Sequence, residues 1–380
     1  MGDYVRQMPH HGSQDLARPP SAASRMHIDI PLLLLLLALT AYGLFVLYSA
    51  SGQSTGAVVR QGRYFLVGYV IMILGAQVSL QRYMRWAPWF YLAGVATLVA
   101  VMFFGVGAKG AQRWLSIGGF RFQPSEIMKI VVPMAVAWYL ADRILPPRFK
   151  FVIIALALVG LPAALILQQP DLGTALLIAA SGLFVLFMAG IGWRYMFGAA
   201  VLAIASAWPA WMFVLKDYQK QRILTMLNPE SDKLGAGWNI IQSKTAIGSG
   251  GWDGKGWLKG TQSQLDFLPE SHTDFIIAVL AEEHGLRGVL MLLGIYLLIL
   301  LRGFWIGVRA QTSFGRMMAG SLTLTFFVYI FVNMGMVAGL LPVVGVPLPL
   351  VSAGGTSVVT LMAGFGILMA VSTEKPMVAR

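Results

Sequence analysis

The sequence predicts an all-α polytopic membrane protein of about ten transmembrane helices, with one large extracytoplasmic loop between helices 7 and 8. Three observations carry this. Of its 380 residues 57% are hydrophobic and only 12% charged, where ordinary soluble domains hold about 45–50% and 25%. Apolar runs of roughly the 20 residues that a bilayer demands recur along nearly the whole chain. One polar stretch studded with aromatic residues, 216–273, interrupts them.

In order, residues 1–27 are polar, with scattered Pro, Ser and Arg and no apolar period, which suits a disordered cytoplasmic tail. The apolar run from Pro31 is too long for a signal peptide and stays as a helix. Residues 28–380 then form a single transmembrane domain. Its candidate spans are 31–49, 65–80, 88–104, 126–141, 151–167, 172–190 and 195–215, then 275–301, 317–340 and 356–370 after the loop. Lys and Arg favour short cytoplasmic segments. With the N-terminus inside, such segments collect Arg82, Arg85, Arg143, Arg148, Lys150, Arg194, Arg302, Arg309 and Arg316. Both termini are therefore expected in the cytoplasm.

The 216–273 loop is too long for a connector. Trp238, Ile240, Ile241, Trp252, Trp257, Leu265, Phe267 and Leu268 run through it, so short amphipathic or re-entrant pieces on the outer membrane surface are expected. A second irregular stretch, 340–357, is apolar yet carries three prolines and three glycines. It cannot be a regular helix. At membrane depth such backbone is tolerated only inside protein or along a cavity.

Composition also excludes. The chain has no cysteine, so thiol catalysis, disulfides and Cys-ligated metals are ruled out, and no His-rich metal cage is expected. The net charge of +12 sits in short clusters between apolar runs, which points to membrane lipids and topology and not to nucleic acid.

Ionisable groups at membrane depth are costly and mark functional sites by default. Asp274 stands where an apolar run begins. It is either a carboxylate placed as a general base or the acid of a capping box over Ser271-His272-Thr273-Asp274. Glu283 and Arg287, four apart with the acid first, fit a structural helical ion pair. Glu282 lies about 80° around the helix from Asp274 and either lines the same cavity or is a second structural acid. Glu126 and Lys129, three apart just after the helix-starting Pro124, should pair on one face. That pair holds the bundle or borders a site.

Arg60, Arg63, Lys109, Arg113 and Arg121 form an outward cationic set, for phospholipid headgroups or as a clamp on a lipid-linked diphosphate, whose oxygens Arg forks match. Asp171, after Pro170, reads as a helix N-cap. The glycines of KGAQRWLSIGGF and IGSGGWDGKGW read as turn formers that follow no strand, so no nucleotide loop is implied.

Together QPSEIMK, QQPDLGTA, NPESDKLGAGWNIIQSKTAIGSGG, GKGWLKGTQSQLDFLPESHTDFIIAVLAEEHGLRG and GLLPVVGVPLPLVSAGG resemble the SEDS family (shape, elongation, division and sporulation), in order and over nearly all of the chain from Asp29. One departure is Ala353 of VSAGG, where the family often has an aromatic residue. The resemblance implies a GT-C-like fold in the bacterial inner membrane and a peptidoglycan glycosyltransferase of cell elongation. That enzyme polymerises lipid II, an undecaprenyl-diphosphate-linked disaccharide pentapeptide, on the outer face. It also implies a class B penicillin-binding protein as transpeptidase partner, alongside the elongation machinery. By the same resemblance Asp274 is the essential base and Glu126–Lys129 the membrane ion pair, while Arg63, Arg113 and Arg121 are diphosphate contacts.

An α-linked donor giving a β-1,4 product implies one inverting displacement, with one base on the acceptor hydroxyl and charge stabilisation at the leaving diphosphate. No motif fixes a metal site, and whether Mg²⁺ or Mn²⁺ assists as cofactor stays open. Two other readings stand beside the enzyme: a lipid II flippase, or a scaffold for the penicillin-binding protein. A flippase calls for ionisable groups spaced through several helices, whereas here they gather towards the outer end.

Overall fold

The computed structural model describes residues 27–374 except 109–110, 118–119, 233–234, 265–267 and 269. The tail 1–27, expected to be disordered, lies outside the described residues apart from His27.

Every predicted span is a helix: α1 Ile30–Ala50, α2 Thr55–Ala76, α3 Leu80–Phe104, α4 Pro124–Ala141, α5 Phe149–Gln168, α6 Leu172–Met188 and α7 Trp193–Pro209. After two loop helices, α8 Asp217–Leu227 and α9 Ala236–Gly250, come α10 Ile276–Arg309, α11 Ser313–Val337 and α12 Gly355–Ser372. Among the described residues seven of these are long and apolar enough to cross a membrane, and α6 is apolar but shorter.

Local chemistry sets the starts. Asp29, Asp171 and Thr312 each accept a first-turn backbone N–H of α1, α6 and α11, so Asp171 is the cap that its spacing suggests. Pro124 opens α4, where its missing N–H and fixed φ are harmless. Two helices begin earlier than the apolar runs indicate, α2 at Thr55 and α3 at Leu80. Their first turns carry Arg60, Arg63, Arg82 and Arg85, which a search for apolar stretches leaves out.

The structure corrects the reading of 105–123. Between α3 and α4 lies a three-stranded antiparallel sheet, β1 Val106–Ala108, β2 Ala111–Ile117 and β3 Phe120–Phe122, in the order β1-β2-β3. The glycines taken as free of strands therefore flank them. Leu115 of β2, buried, alternates with exposed Ser116, the period-2 pattern of a half-covered strand.

Membrane helices associate through close packing of small residues and buried hydrogen bonds. A Cβ on Gly366 of α12 would meet the Met72 carbonyl of α2 at 2.6 Å, so only glycine lets these two helices lie together. Ser321 donates to the Ser181 carbonyl across α11 and α6 (2.7 Å).

At the end of the bundle away from the long loop, Asp29 ties three helices. It takes two hydrogen bonds from Arg302 of α10 (3.1 and 2.7 Å) and one from Ser372 of α12 (2.5 Å), besides capping α1. Burial pushes the Asp29 carboxyl up, yet the hydrogen bonds from Arg302, Ser372 and the Leu32 amide outweigh it and hold it below the usual aspartate range. A depressed carboxyl contributes stability above its unfolded pKa and loses it as pH falls through the folded one. Asp29→Asn should therefore cost about 1–3 kcal/mol near pH 7. The gap in melting temperature from wild type should close below about pH 4.

The 34-residue α10 is broken at Gly285 (φ 61, ψ −160). The long loop fills the break. Leu286 and Arg287 N–H groups donate to the Gly251 and Trp252 carbonyls, and Lys255 and Gly256 N–H groups donate to those of Glu282 and Glu283 (2.9–3.3 Å). The backbone freed by the break is thus satisfied by protein, as membrane depth requires. Residues 251–256 of the loop are docked against the break in the helix.

Fully buried Glu282 locks the same loop from within, accepting from Lys255 Nζ (2.7 Å), the Thr261 and Gln262 N–H groups (2.8 and 3.0 Å) and the Thr261 hydroxyl (3.0 Å). It is a structural acid. The expected Glu283–Arg287 pair does not form, because the break lies between the two. Glu283 accepts from Ser49 (2.5 Å), while Arg287 pairs with Asp253 (2.5 Å) at the surface.

At Gly285 any Cβ would sit 2.5 Å from Gly254 N and Trp252 O. Gly285→Ala is expected to undock the loop, lowering stability by at least about 1–3 kcal/mol. A thermal melt, with proteolysis of the loop as a second readout, checks this.

Candidate active site

Asp274 lies in the turn leading into α10, half-buried. The capping box that the spacing of Ser271 and Asp274 offers does not form. The helix begins two residues later, at Ile276, with Phe275 at the cap and no side-chain cap bond. The Ser271 hydroxyl instead donates to the Ala50 carbonyl at the end of α1 (3.0 Å).

What holds the turn is the irregular stretch 340–354. The Ala353 N–H donates to the His272 carbonyl (3.0 Å), the Ser352 hydroxyl to that of Thr273 (2.5 Å), and Asn333 Nδ2 of α11 to that of Asp274 (2.9 Å). The stretch is anchored in turn. Gln61 of α2 donates to the Ser352 carbonyl and accepts from the Gly354 N–H (3.3 and 3.2 Å), and Tyr296 donates to the Pro349 carbonyl (2.7 Å). The irregular backbone thus positions the residue that bears the carboxylate through its main chain.

Next to it opens a cavity of about 250 Å³. Its walls are Arg113 and Trp114 of β2, Gln123, Glu126 and Lys129 of α4, Asp171 and Thr174 of α6, Tyr329 of α11, Gly345–Pro347, and the start of α12 at 354–357. Asp274 adjoins it at Gly345 (φ +75), where a Cβ would lie 3.5 Å from the Asp274 Oδ2. Glycine supplies the left-handed backbone there, and the added contact would be an ordinary one.

Inside the cavity, charge is arranged in pairs. Lys129 Nζ is 2.6 Å from Glu126 Oε1, both side chains under 10% exposed, with Lys129 also 4.9 Å from the Tyr329 ring centre. The predicted pair therefore forms, and it lines the cavity. Arg113 donates to the Gln169 carbonyl (3.3 Å) and the Pro170 carbonyl (2.5 Å), and its Nη1 lies 3.5 Å from Asp171. Gln123 also donates to Asp171 (3.4 Å).

Of the three cations expected at a diphosphate, Arg113 lines this cavity. Arg63 lies exposed on α2, outside its walls, and Arg121 belongs to β3. The side chain of Arg121 and all of Lys109 lie outside the described residues. Among the described residues no three His, Asp or Glu gather as a metal site.

Composition and spacing found Asp274, Glu126, Lys129 and Arg113. They missed Tyr329, Gln61 and Asn333, although Asn333 carries a signal: a carboxamide inside the apolar run FVYIFVNMGMV, where polar groups are expensive.

Comparison with known proteins agrees with this architecture. The profile of the cell cycle protein family that comprises FtsW, RodA and SpoVE matches residues 30–376. This chain belongs to that family. Among the FtsW/RodA/SpoVE proteins, the peptidoglycan glycosyltransferase MrdB of Escherichia coli K12 is 56% identical over 357 residues, covering 94% of this chain and 96% of the relative. A probable peptidoglycan glycosyltransferase FtsW of Trichlorobacter lovleyi is 37% identical over 360 residues, covering 90% and 93%.

Two solved structures share the fold. One, from work on how a peptidoglycan synthase complex coordinates polymerization and crosslinking, superposes with a TM-score of 0.79 at 31% identity, covering 90% of this chain and 97% of that one. The rod shape determining protein RodA of Thermus thermophilus superposes at 0.69 and 28%, covering 90% and 96%.

Proposed function

We propose that this multi-pass membrane protein is a peptidoglycan glycosyltransferase that polymerises lipid II into β-1,4 glycan strands at the outer face of the inner membrane during cell elongation. The observation that carries the reading is the Asp274 carboxylate, held through its backbone beside a cavity whose wall carries Arg113 and Lys129 with their partners Asp171 and Glu126. Both termini then lie in the cytoplasm.

The acceptor 4-hydroxyl gives its proton to Asp274 as its oxygen bonds to the donor's anomeric carbon, and the bond from that carbon to the undecaprenyl diphosphate breaks. Arg113 and Lys129, on the cavity wall beside Asp171 and Glu126, face the charge that grows on the leaving diphosphate; preorganised cations of this kind act where charge develops. One base suffices for inversion, so the paired carboxylates of a retaining glycosidase are not needed. A class B penicillin-binding protein supplies the crosslinking.

The test is glycan formation from labelled lipid II by the protein purified with its cognate penicillin-binding protein, the partner's transpeptidase being blocked. Polymer is expected. Its absence, with lipid II transport in liposomes instead, would replace the enzyme with a flippase. Neither activity, with partner binding intact, would leave the scaffold reading.

A further inference from the structure

Asn333 sits in the last turns of α11 with no exposed surface. Its Nδ2 donates to two backbone carbonyls, that of Asp274 (2.9 Å) and that of Val346 (2.7 Å). Two acceptors dictate the amide's orientation, since only the nitrogen can face them. The Oδ1 is consequently turned into a buried place without a partner, a cost that an apolar residue at this position would not incur.

The two carbonyls belong to the two sides of the reaction space. One is that of the residue bearing the carboxylate. The other is on the cavity wall, where Val346 stands between Gly345 and Pro347. The neighbouring donors, Ser352 and the Ala353 N–H, reach the carbonyls of residues 273 and 272. Asn333 is what joins residue 274 itself to the wall.

We infer that Asn333 is a positioning residue for glycosyl transfer: its amide sets where the Asp274 carboxylate stands relative to the substrate cavity. The inference rests on Asp274 being the base of the proposed reaction. Misplacing a catalytic group by about 1 Å costs on the order of 100-fold in rate. Losing the tie should therefore lower turnover far more than it lowers lipid II affinity.

The experiment measures initial polymerisation rates over a range of lipid II concentrations, on the complex with its penicillin-binding partner. It compares wild type, Asn333→Leu and Asp274→Asn, with a melting temperature for each. Leucine keeps the branching and the number of side-chain heavy atoms, at a somewhat larger volume, removes the donor and also removes the partnerless oxygen. The expected result for Asn333→Leu is a kcat lowered about 10- to 100-fold, a KM within about twofold of wild type, and a folded protein whose melting temperature is somewhat lowered, because the Asp274 and Val346 carbonyls lose this donor. Wild-type kcat in a folded Asn333→Leu, or a loss that appears in KM alone, overturns the inference.

Should Asn333→Leu not fold, Asn333→Ser is read in its place. It keeps a shorter donor, and its kcat is expected to fall with KM unchanged; wild-type kcat overturns the inference here too. Asp274→Asn separates the two claims. A polymerising Asp274→Asn removes the base assignment itself, whereas an inactive Asp274→Asn beside a fully active Asn333 variant removes only the role of Asn333.

Discussion

Asp274→Asn is expected to abolish polymerisation, by about 10²–10⁴-fold, the usual contribution of a general base, while the protein stays folded and bound to its partner. The substitution keeps the side chain's shape and removes its ability to accept a proton. The turn should stay in place, because the carbonyls of residues 272, 273 and 274, which hold it, are unchanged by the substitution. Asp274→Glu should also lose most activity, since one added methylene moves the oxygens out of a place fixed by the main chain. Glycan yield from labelled lipid II, beside a melting temperature and co-purification with the partner, checks all three statements. Wild-type yield from Asp274→Asn would take the carboxylate out of the chemistry.

The second large effect concerns the ion pair in the cavity wall. Breaking a buried pair by removing one member costs about 3–5 kcal/mol, because the other is left charged and unpaired. Lys129→Ala should be the worse of the two. It strands Glu126 with no cation, whereas after Glu126→Ala the Lys129 ammonium still lies 4.9 Å from the face of Tyr329. The double change Glu126→Gln with Lys129→Met should recover much of the stability, since neither residue is then charged. Activity separates the pair's two tasks. A stable double variant that does not polymerise shows that Lys129 acts on the substrate's charge as well as on the bundle, and an active one confines the pair to structure. Thermal unfolding and polymerisation on the same samples decide it.

The helices and the carboxylate were legible in the sequence because both obey local rules: length against bilayer thickness, and the cost of an ion at depth. Glu126–Lys129 was legible because a spacing of three on a helix is itself a contact. The rest depends on residues distant in the chain. IIAVLAEEHGLRGVL reads as one unbroken apolar helix, and only the return of 251–256 makes the break at Gly285 favourable. That break annuls the i,i+4 geometry of Glu283 and Arg287, and with it a pairing that their spacing makes attractive. The serine of HTDF's cap was likewise drawn off by a carbonyl 221 positions away. Arg113, free on paper, is held by the carbonyls that precede α6. The sheet at 106–122 was within reach of a period-2 reading, which the surrounding glycines obscured.

The cluster at Asp29 bears on how the chain is made. Its partner in α12, Ser372, comes 343 positions later, and Arg302 comes 273 positions later. During synthesis the first helix is therefore made with its cap carboxylate lacking both partners; Arg302 arrives with α10, and the Ser372 hydroxyl only with the final helix. Any product truncated before Ser372 lacks that hydroxyl donor, so the contact that closes the foot of α1 is among the last to form.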